Sequence, residues 1–394
     1  MSKKRAHRNN YSDYKSESRS QLLSDEVSVE IESTAESLLS RIELDVNQDP
    51  PSDYSVYTGI SGIAFLFLLL GERVHDSFFN RALECIEEVL PRLRNRNVSF
   101  LTGDAGPLAL GAVLFAREGN DNEKSNLISQ LTGPLLRTAL DLDLPDEMLY
   151  GRAGYLYSLL FINKHLGEDT IPVSTIRRVV SAILCSGINL ARQEQFDVPL
   201  MYKWHDTYYV GAAHGLAGIL FMLLQAKNYL ERSELETLVC PTIDYLQEVR
   251  YPSGNFRSSL DSENDKLVQW CHGAPGMVDL FCLAYGTFGR EVYLDTALEC
   301  GEIVWRRGLL KKGYSICHGV AGNAYSFLSL FRATQDLKHL HRAIQFAKWC
   351  NDYGTHQVHY PDHPMSLFEG VSGVVHFIYD VQQPERAAFP AYVL

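Results

Sequence analysis

The chain is poor in several features that would place it in familiar protein classes. Cysteine accounts for eight of its 394 residues, and these are scattered through apolar, helix-like stretches rather than spaced as a disulfide framework. Lysine and arginine number 36 against 48 acidic residues. The resulting net charge of −12 argues against a broad nucleic-acid surface. The basic cluster KKRAHR at 3–8 is interpreted as part of a solvated tail.

Long hydrophobic runs are also missing. The longest apolar run, GIAFLFLLLG at 62–71, is about half of the roughly 20 residues that a membrane-spanning helix needs. Nothing apolar follows the basic start, so no secretory signal is expected. We therefore predict a cytoplasmic protein with reduced thiols, no integral membrane segment and no nucleic-acid partner.

What the sequence has in abundance is one short glycine phrase. Gly-x-x-Gly occurs seven times and uses fourteen of the 28 glycines. The first glycines are separated by 44, 48, 64, 58, 46 and 51 residues. They are Gly59, Gly103, Gly151, Gly215, Gly273, Gly319 and Gly370. Regular recurrence of this kind indicates a repeat architecture.

Each copy leads into an apolar stretch of helical length, and amphipathic stretches with charges on one face lie between the copies. This alternation predicts an all-α fold. Inner helices this apolar need burial on most sides, which favours an α/α toroid of seven inner and seven outer helices over an open superhelix. We predict a polar N-terminal tail over 1–25 and a single domain over 26–394.

If the helix starts converge at one end, the residue before each first glycine faces the axis. These residues are Thr58, Thr102, Tyr150, His214, His272, His318 and Glu369. One position earlier, the fifth and sixth copies carry Cys271 and Cys317. Residues that can bind a metal are therefore concentrated in copies four to six.

Cys271, Cys317 and His318 form a plausible zinc set, because thiolates and imidazole suit tetrahedral Zn²⁺ and three ligands leave a fourth position open. His272 and His214 are rivals for the third ligand. Two buried structural thiols without metal are the alternative. Electron-rich Cys₂His ligation favours activation of a thiol over hydrolysis by bound water. His214 could then act as the acid or base.

These residues make the chain recognisable. It resembles the eukaryotic LanC-like proteins, relatives of the bacterial lanthionine cyclases. The resemblance runs through LTGDAGPLAL, EMLYGRAGYLYSLLFINKH, YVGAAHGLAGI, WCHGAPGM, ICHGVAGN and SLFEGVSG to the closing FPAYVL. It implies an α/α barrel with one zinc per chain at its mouth. The matched ligands are Cys271, Cys317 and His318.

The resemblance also implies an activity. The bacterial enzymes add a peptide's own cysteine thiol to dehydroalanine or dehydrobutyrine. The eukaryotic members bind glutathione and are thought to add its thiol to such residues in damaged proteins, and a glutathione S-transferase activity on small electrophiles is attributed to them. The implied partners are glutathione and proteins or peptides that contain dehydroamino acids.

Further residues are carried over on the matched motifs. His214 matches a catalytic histidine, and Glu147 falls near an acidic residue of the bacterial enzymes, although it could be an ordinary carboxylate of a helix's first turn. Lys312 matches a glutathione contact. Arg5 matches an N-terminal arginine that folds back over the site.

The chain departs from its relatives in one place. Where they carry an arginine before a Thr-Pro-Asp sequence, VHYPDHP places His359, followed by Asp362. Histidine is mostly neutral near pH 7, so a bidentate contact to a carboxylate is lost there. This substitution puts glutathione affinity in doubt more than the fold.

Two other functions compete with thiol addition. One is a non-catalytic glutathione- and zinc-binding scaffold whose main work is contact with signalling proteins. The other is an α/α-barrel glycosidase, which needs paired carboxylates. Glu369 is the one acid among the fourteen residues just before the glycines, so the glycosidase is disfavoured.

Overall fold

The computed structural model describes residues 5–394, and this part of the chain contains helices and isolated β-bridges but no β-strand. Its longer helices are Asp25–Gln48 (α1), Ile60–Arg73 (α2), Ser77–Val89 (α3), Ala105–Arg117 (α4), Asp121–Gln130 (α5), Arg152–Leu166 (α6), Val173–Gln193 (α7), Leu216–Gln225 (α8), Cys240–Glu248 (α9), Pro275–Phe288 (α10), Glu291–Arg307 (α11), Val320–Thr334 (α12), Leu337–Asn351 (α13) and Val371–Gln382 (α14). Shorter helical segments are Arg19–Leu22, Leu90–Arg92, Leu131–Leu135, Leu136–Ala139, Lys227–Tyr229, Arg232–Glu234 and Leu235–Val239.

The glycine phrases begin helices, as the repeat predicts. The helices that start there are α2, α4, α6, α8, α10, α12 and α14. They are buried almost all round; in α8, every residue from Leu216 to Leu224 is buried. The helices between them bury one stripe, such as Phe79, Ala82, Ile86 and Val89 in α3. The predicted alternation of apolar and amphipathic helices is confirmed.

Close packing of the preceding loop explains the glycines. Gly151 has a φ of −111°, which any residue can adopt, but a Cβ there would lie 2.4 Å from the carbonyl oxygen of Pro145. A Cβ on Gly218 would lie 2.0 Å from the carbonyl oxygen of Ala212. Each phrase therefore lets its own preceding loop close over the helix start. The residue before the first glycine stays partly exposed at that turn.

The described chain divides into two compact units. Unit 1 comprises 5–51, Tyr251–Phe256 and Asn264–Val393, and unit 2 comprises Ser52–Arg250, Arg257–Glu263 and Leu394. Unit 2 contains the first four glycine phrases and unit 1 the last three. The single domain over 26–394 stays a prediction.

In unit 1, the outer helix for the last inner helix comes from the beginning of the chain. Helix α1 packs on α14 and, less extensively, on α13. It buries a stripe that includes Ile31, Ala35, Leu38 and Ile42. The sequence pattern places each outer helix after its inner helix, an order that leaves α14 without a partner; α1 takes that position.

The described part of the predicted polar tail is also packed in unit 1. The backbone N–H of His7 donates to the carbonyl of Leu309 at 2.7 Å. The Asp13 carboxylate pairs at 2.6 Å with Arg342, whose side chain is 1% exposed. Residues 1–4 of the tail lie outside the described residues. Because the buried Arg342 guanidinium needs a carboxylate partner such as Asp13, the described part of the tail belongs to the folded unit.

One described helix, Val173–Gln193, is long and apolar enough to cross a membrane by length and composition. A third of that stretch is buried, and helices of water-soluble proteins pass the same criterion. The absence of an integral membrane segment stays a prediction.

Candidate functional site

The two cysteines of the predicted metal set are brought together by the repeat itself. Cys271 and Cys317 occupy the same position, two residues before the glycine that precedes helices α10 and α12. The backbone N–H of Cys271 donates to the carbonyl of Cys317 at 3.3 Å, and the N–H of Cys317 donates to the carbonyl of Phe368 at 2.9 Å. These bonds hold three consecutive copies side by side in unit 1.

His318 completes the cluster. One ligand atom from each of Cys271, Cys317 and His318 lies within 4.8 Å of the others, and this is the one such group of three found in residues 5–394. The two thiols are buried and the imidazole is partly exposed. A tetrahedral zinc ion has Zn–S distances of about 2.3 Å and Zn–N distances of about 2.0–2.1 Å, so its ligand atoms must lie within a few ångströms of one another, as these three do. The residues present therefore fit zinc.

Neither rival for the third ligand position, His272 or His214, is part of the three-residue group. Zinc ligation by Cys271, Cys317 and His318 stays a prediction that the geometry of unit 1 supports.

The surroundings of Cys271 favour a thiolate. A hydrogen bond with the Cys317 thiol holds the pKa of Cys271 well below its usual value; burial opposes this effect, and a hydrogen bond with His318 adds to it. The side-chain amide of Gln269 donates to the Cys271 sulfur at 3.2 Å. A thiolate accepts such a bond better than a thiol does.

The loop that carries Cys271 is fixed from behind by Asn255. Its side-chain oxygen accepts the backbone N–H of Ala274 at 2.8 Å, and its amide donates to Asp265 at 2.7 Å. Gly273 has a φ of +106°, and a Cβ there would lie 2.3 Å from the carbonyl oxygen of Leu267. Glycine is therefore required at this position.

Next to the cluster in unit 1 is a cavity of about 310 Å³, within the range of small-molecule sites. Three residues predicted to contact glutathione line it: Lys312, His359 and Asp362. His318 and Glu369 line it as well. Since His318 also belongs to the metal cluster, the candidate metal site opens into this cavity.

Arg41 of helix α1 and Tyr353 are among the residues of this cavity that sequence reasoning missed. Burial raises the pKa of Tyr353 to about 12, and the positive charge of Arg41 opposes this rise. Neither residue belongs to a glycine phrase, so no motif in the sequence marked them.

The charged groups of this cavity are not paired with each other. Within the described chain, the side chains of Arg41, Lys312, Asp362 and Glu369 make no hydrogen bond or ion pair with another residue. Two permanent cations and two carboxylates are thus available for a ligand that carries both signs of charge.

Arg5 is not brought into this cavity. Its side chain lines a second cavity of unit 1, of about 710 Å³, together with Arg8, Lys266 and Arg306. The Arg5 carbonyl accepts the backbone N–H of Lys311 at 2.9 Å. The N-terminal segment therefore lies beside the segment that leads to Lys312, but Arg5 is not among the residues that line the cavity next to the metal cluster.

In unit 2, the structure brings His214 and Glu147 into contact. The Nδ1 atom of His214 lies 2.7 Å from the Glu147 carboxylate, which is buried. That carboxylate also accepts the backbone N–H groups of Leu149, at 2.9 Å, and Tyr150. Glu147 is therefore the fixed partner of His214, which its sequence position alone did not reveal.

The imidazole of His214 is held in one orientation. Its ring stacks on Trp204 with centroids 4.1 Å apart and an interplanar angle of 8°. With Glu147 accepting three donors, Nδ1 is the atom that carries a proton. Nε2 makes no hydrogen bond within residues 5–394, so it is available as a base.

Comparison with known proteins identifies the family and the fold of the chain. The family described as lanthionine synthetase C-like protein matches residues 50–394. Glutathione S-transferase LANCL1 from Danio rerio is 43% identical over 405 residues, covering 100% of both chains. LanC-like protein GCL1 from Arabidopsis thaliana is 37% identical over 369 residues, covering 87% of this chain and 82% of the other. The structure of nisin cyclase matches with a TM-score of 0.68 at 18% identity, covering 89% of this chain and 94% of that one. This structural match confirms the predicted fold class.

Proposed function

Because the chain belongs to the lanthionine synthetase C-like family, we propose that it is an enzyme that adds the thiol of glutathione to dehydroalanine and dehydrobutyrine residues of proteins. The zebrafish relative is named as a glutathione S-transferase, and it aligns over the full length of this chain. Thiol addition is chosen over other transferase chemistry because the candidate metal site is made of two thiols and one imidazole.

The observation that carries the proposal is the double position of His318. It belongs to the three-residue metal cluster and also lines the charged cavity of unit 1. A ligand bound in that cavity would reach the open coordination position. Glutathione carries two carboxylates, one ammonium and one thiol, so it matches a cavity with two cations, two carboxylates and a thiol-binding metal site.

Cys271, Cys317 and His318 would hold Zn²⁺, which when bound lowers the pKa of a coordinated thiol and keeps it as a nucleophile. The chain's other residues bind and orient the ligand. Lys312 attracts one carboxylate, and Asp362 and Glu369 are the acceptors available for the ammonium group. Gln269 donates a hydrogen bond to the Cys271 sulfur.

His214 would move the proton. This role follows from the resemblance that matches His214 to a catalytic histidine: its Nε2 would accept the proton that leaves the glutathione thiol, and Glu147 would stabilise the imidazolium. The sulfur forms a bond to Cβ of the dehydroamino acid, and the electron pair of the Cα=Cβ double bond moves towards Cα. His214 then returns the proton to Cα. The thiol hydrogen ends on carbon, so no other reactant is needed.

A mass-spectrometric assay tests the proposal. Purified chain with quantified zinc is mixed with glutathione and a dehydroalanine-containing peptide, and Cys317→Ala is the control. We expect the peptide to gain the mass of one glutathione in a zinc-dependent reaction that the variant does not support. Full addition by chain that lacks zinc would refute the proposed role of the metal.

The competing function is a glutathione- and zinc-binding scaffold. The same assay separates the two, because a scaffold binds zinc and glutathione but gives no addition above the Cys317→Ala background. The ordered contact between His214 and Glu147 favours the enzyme, since a scaffold has no use for an oriented base.

A further inference from the structure

The cavity next to the metal cluster contains a cation from a distant part of the sequence. Arg41 lies on helix α1, more than 200 residues before the other lining residues, the first of which is Lys312. Its guanidinium makes no hydrogen bond or ion pair with any residue in 5–394. In a chain of net charge −12, an arginine without a carboxylate partner on a cavity wall is a candidate for ligand binding.

The packing of α1 fixes where Arg41 stands. Its neighbour Ile42 is 0% exposed, and Leu38, one turn earlier, is buried in the same stripe. This stripe packs on α14, the helix that follows Glu369 and Gly370 of the cavity wall. The helix backbone at Arg41 is therefore anchored, and its side chain extends from the edge of a buried face.

The ligand proposed above has two carboxylates, and the cavity has one permanent cation besides Arg41, namely Lys312. His359 is mostly neutral near pH 7 and offers a single donor, so it cannot replace a guanidinium. A planar guanidinium binds a carboxylate through two parallel hydrogen bonds. Lys312 can pair with one carboxylate of glutathione, and Arg41 is then the cation available for the other.

We propose that Arg41 is a glutathione-binding residue that holds one of the ligand's two carboxylates, opposite Lys312, and that it supplies the cation that His359 does not. This inference rests on the proposed function, because it assumes that glutathione is the ligand of the cavity. It gives α1 a role in recognition as well as in packing.

Isothermal titration of glutathione into the full-length, zinc-loaded chain tests the inference. Arg41→Gln should weaken binding by about 10- to 100-fold, the usual cost of losing a charge-assisted pair of hydrogen bonds. Arg41→Lys should lose less, because the charge remains while the two-pronged geometry does not. The matched control is Arg8→Gln, which removes the same charge from the other cavity of unit 1 and should leave affinity unchanged.

Two altered ligands identify the contact. Glutathione ethyl ester is blocked at the glycine carboxylate, and cysteinylglycine lacks the γ-glutamyl carboxylate. Arg41→Gln should weaken binding of intact glutathione and of one altered ligand, but not of the ligand that lacks the carboxylate held by Arg41. Adding His359→Arg to the Arg41→Gln variant should recover part of the affinity.

The outcomes separate this inference from the function on which it rests. If the wild-type chain binds glutathione and Arg41→Gln binds it equally well, the role of Arg41 is refuted and the proposed function stands. A wild-type chain that retains zinc but does not bind glutathione overturns both. An equal loss in Arg8→Gln and Arg41→Gln would show a long-range charge effect and would also refute a direct contact.

Discussion

The glycine phrases of unit 2 and unit 1 build the same local structure and present different chemistry. In unit 2, the residue before the glycine is a hydroxyl residue in the first two copies, and its side chain is used in folding. Thr58 donates to Asp53, and Thr102 donates to the carbonyl of Leu149. In unit 1, the corresponding residues His318 and Glu369 line a cavity.

The difference shows how a repeat acquires a function. All copies share the helix start, the close-packed loop and the backbone bonds between copies. These features set the positions of the two side chains that precede the first glycine of each copy. Residues that bond to their own loop stabilise that loop. A residue at this position that does not bond to the surrounding protein, or that lies beside a cysteine of a neighbouring copy, can bind a metal or a substrate.

The largest expected effect comes from removing a predicted metal ligand from one glycine copy of unit 1, which leaves that copy with only its structural role. Cys317→Ala should abolish metal binding, because two ligands in a partly buried site hold zinc far more weakly than three. Metal content is measured by mass spectrometry after gel filtration. Cys185→Ala is the control, since Cys185 is exposed and lies in unit 2. If Cys317→Ala contained as much zinc per chain as the wild type, Cys317 would not be a metal ligand, and the proposed difference between the two units would be refuted.

A second experiment tests whether unit 2 contributes chemistry at all. Glu147→Gln keeps the shape of the side chain but allows its amide to donate to Nδ1 of His214, which leaves the proton on Nε2. We expect kcat to fall by about 100-fold or more, with zinc content and glutathione affinity unchanged. The pH profile of kcat should also lose the limb that belongs to the base. An unchanged rate would reduce the pair to a structural contact of unit 2.

The smallest effect concerns the support of the metal loop in unit 1. Partial burial alone would raise the pKa of Asp265, but hydrogen bonds from Arg307, Ser253 and Asn255 lower it to about 2. Because the folded-state pKa is below the value near 4 of an unfolded chain, this carboxylate stabilises the fold above pH 4 and stops doing so as the pH falls towards 2. Asp265→Asn should melt a few degrees lower than wild type at pH 7, and the gap should narrow below pH 4 and close near pH 2. Differential scanning calorimetry measures it, and a gap independent of pH would contradict this account.

Much of the fold and part of the site could be predicted because they follow from local sequence. Fourteen glycines marked the inner helix starts, and identical phrases around Cys271 and Cys317 showed that the two thiols share a register. His214 stood out because it occupies the same position as His272 and His318. Each of these patterns spans only a few neighbouring residues, and its recurrence in several copies makes it recognisable in the sequence.

The remaining parts depend on packing between distant segments. Helix α1 has no glycine phrase, so its place on α14 and the position of Arg41 could not be read from the sequence. Glu147 had a plausible role as a first-turn carboxylate, and the 2.7 Å contact with His214 is a tertiary fact. Arg5 was expected to fold back over the site. The structure instead places it among the residues that line the other cavity of unit 1, through backbone pairing with the 309–311 segment that no motif in the sequence announces.

The backbone bonds from Cys271 to Cys317 and from Cys317 to Phe368 have a consequence for how such proteins change over time. They hold the starts of the last three copies side by side, although the intervals between the first glycines of those copies differ, at 46 and 51 residues. Insertions and deletions can therefore accumulate in the connecting segments without moving the predicted metal ligands. For protein engineering, those segments are the places to graft a reporter or an affinity handle, and the glycine phrases are the places to leave untouched.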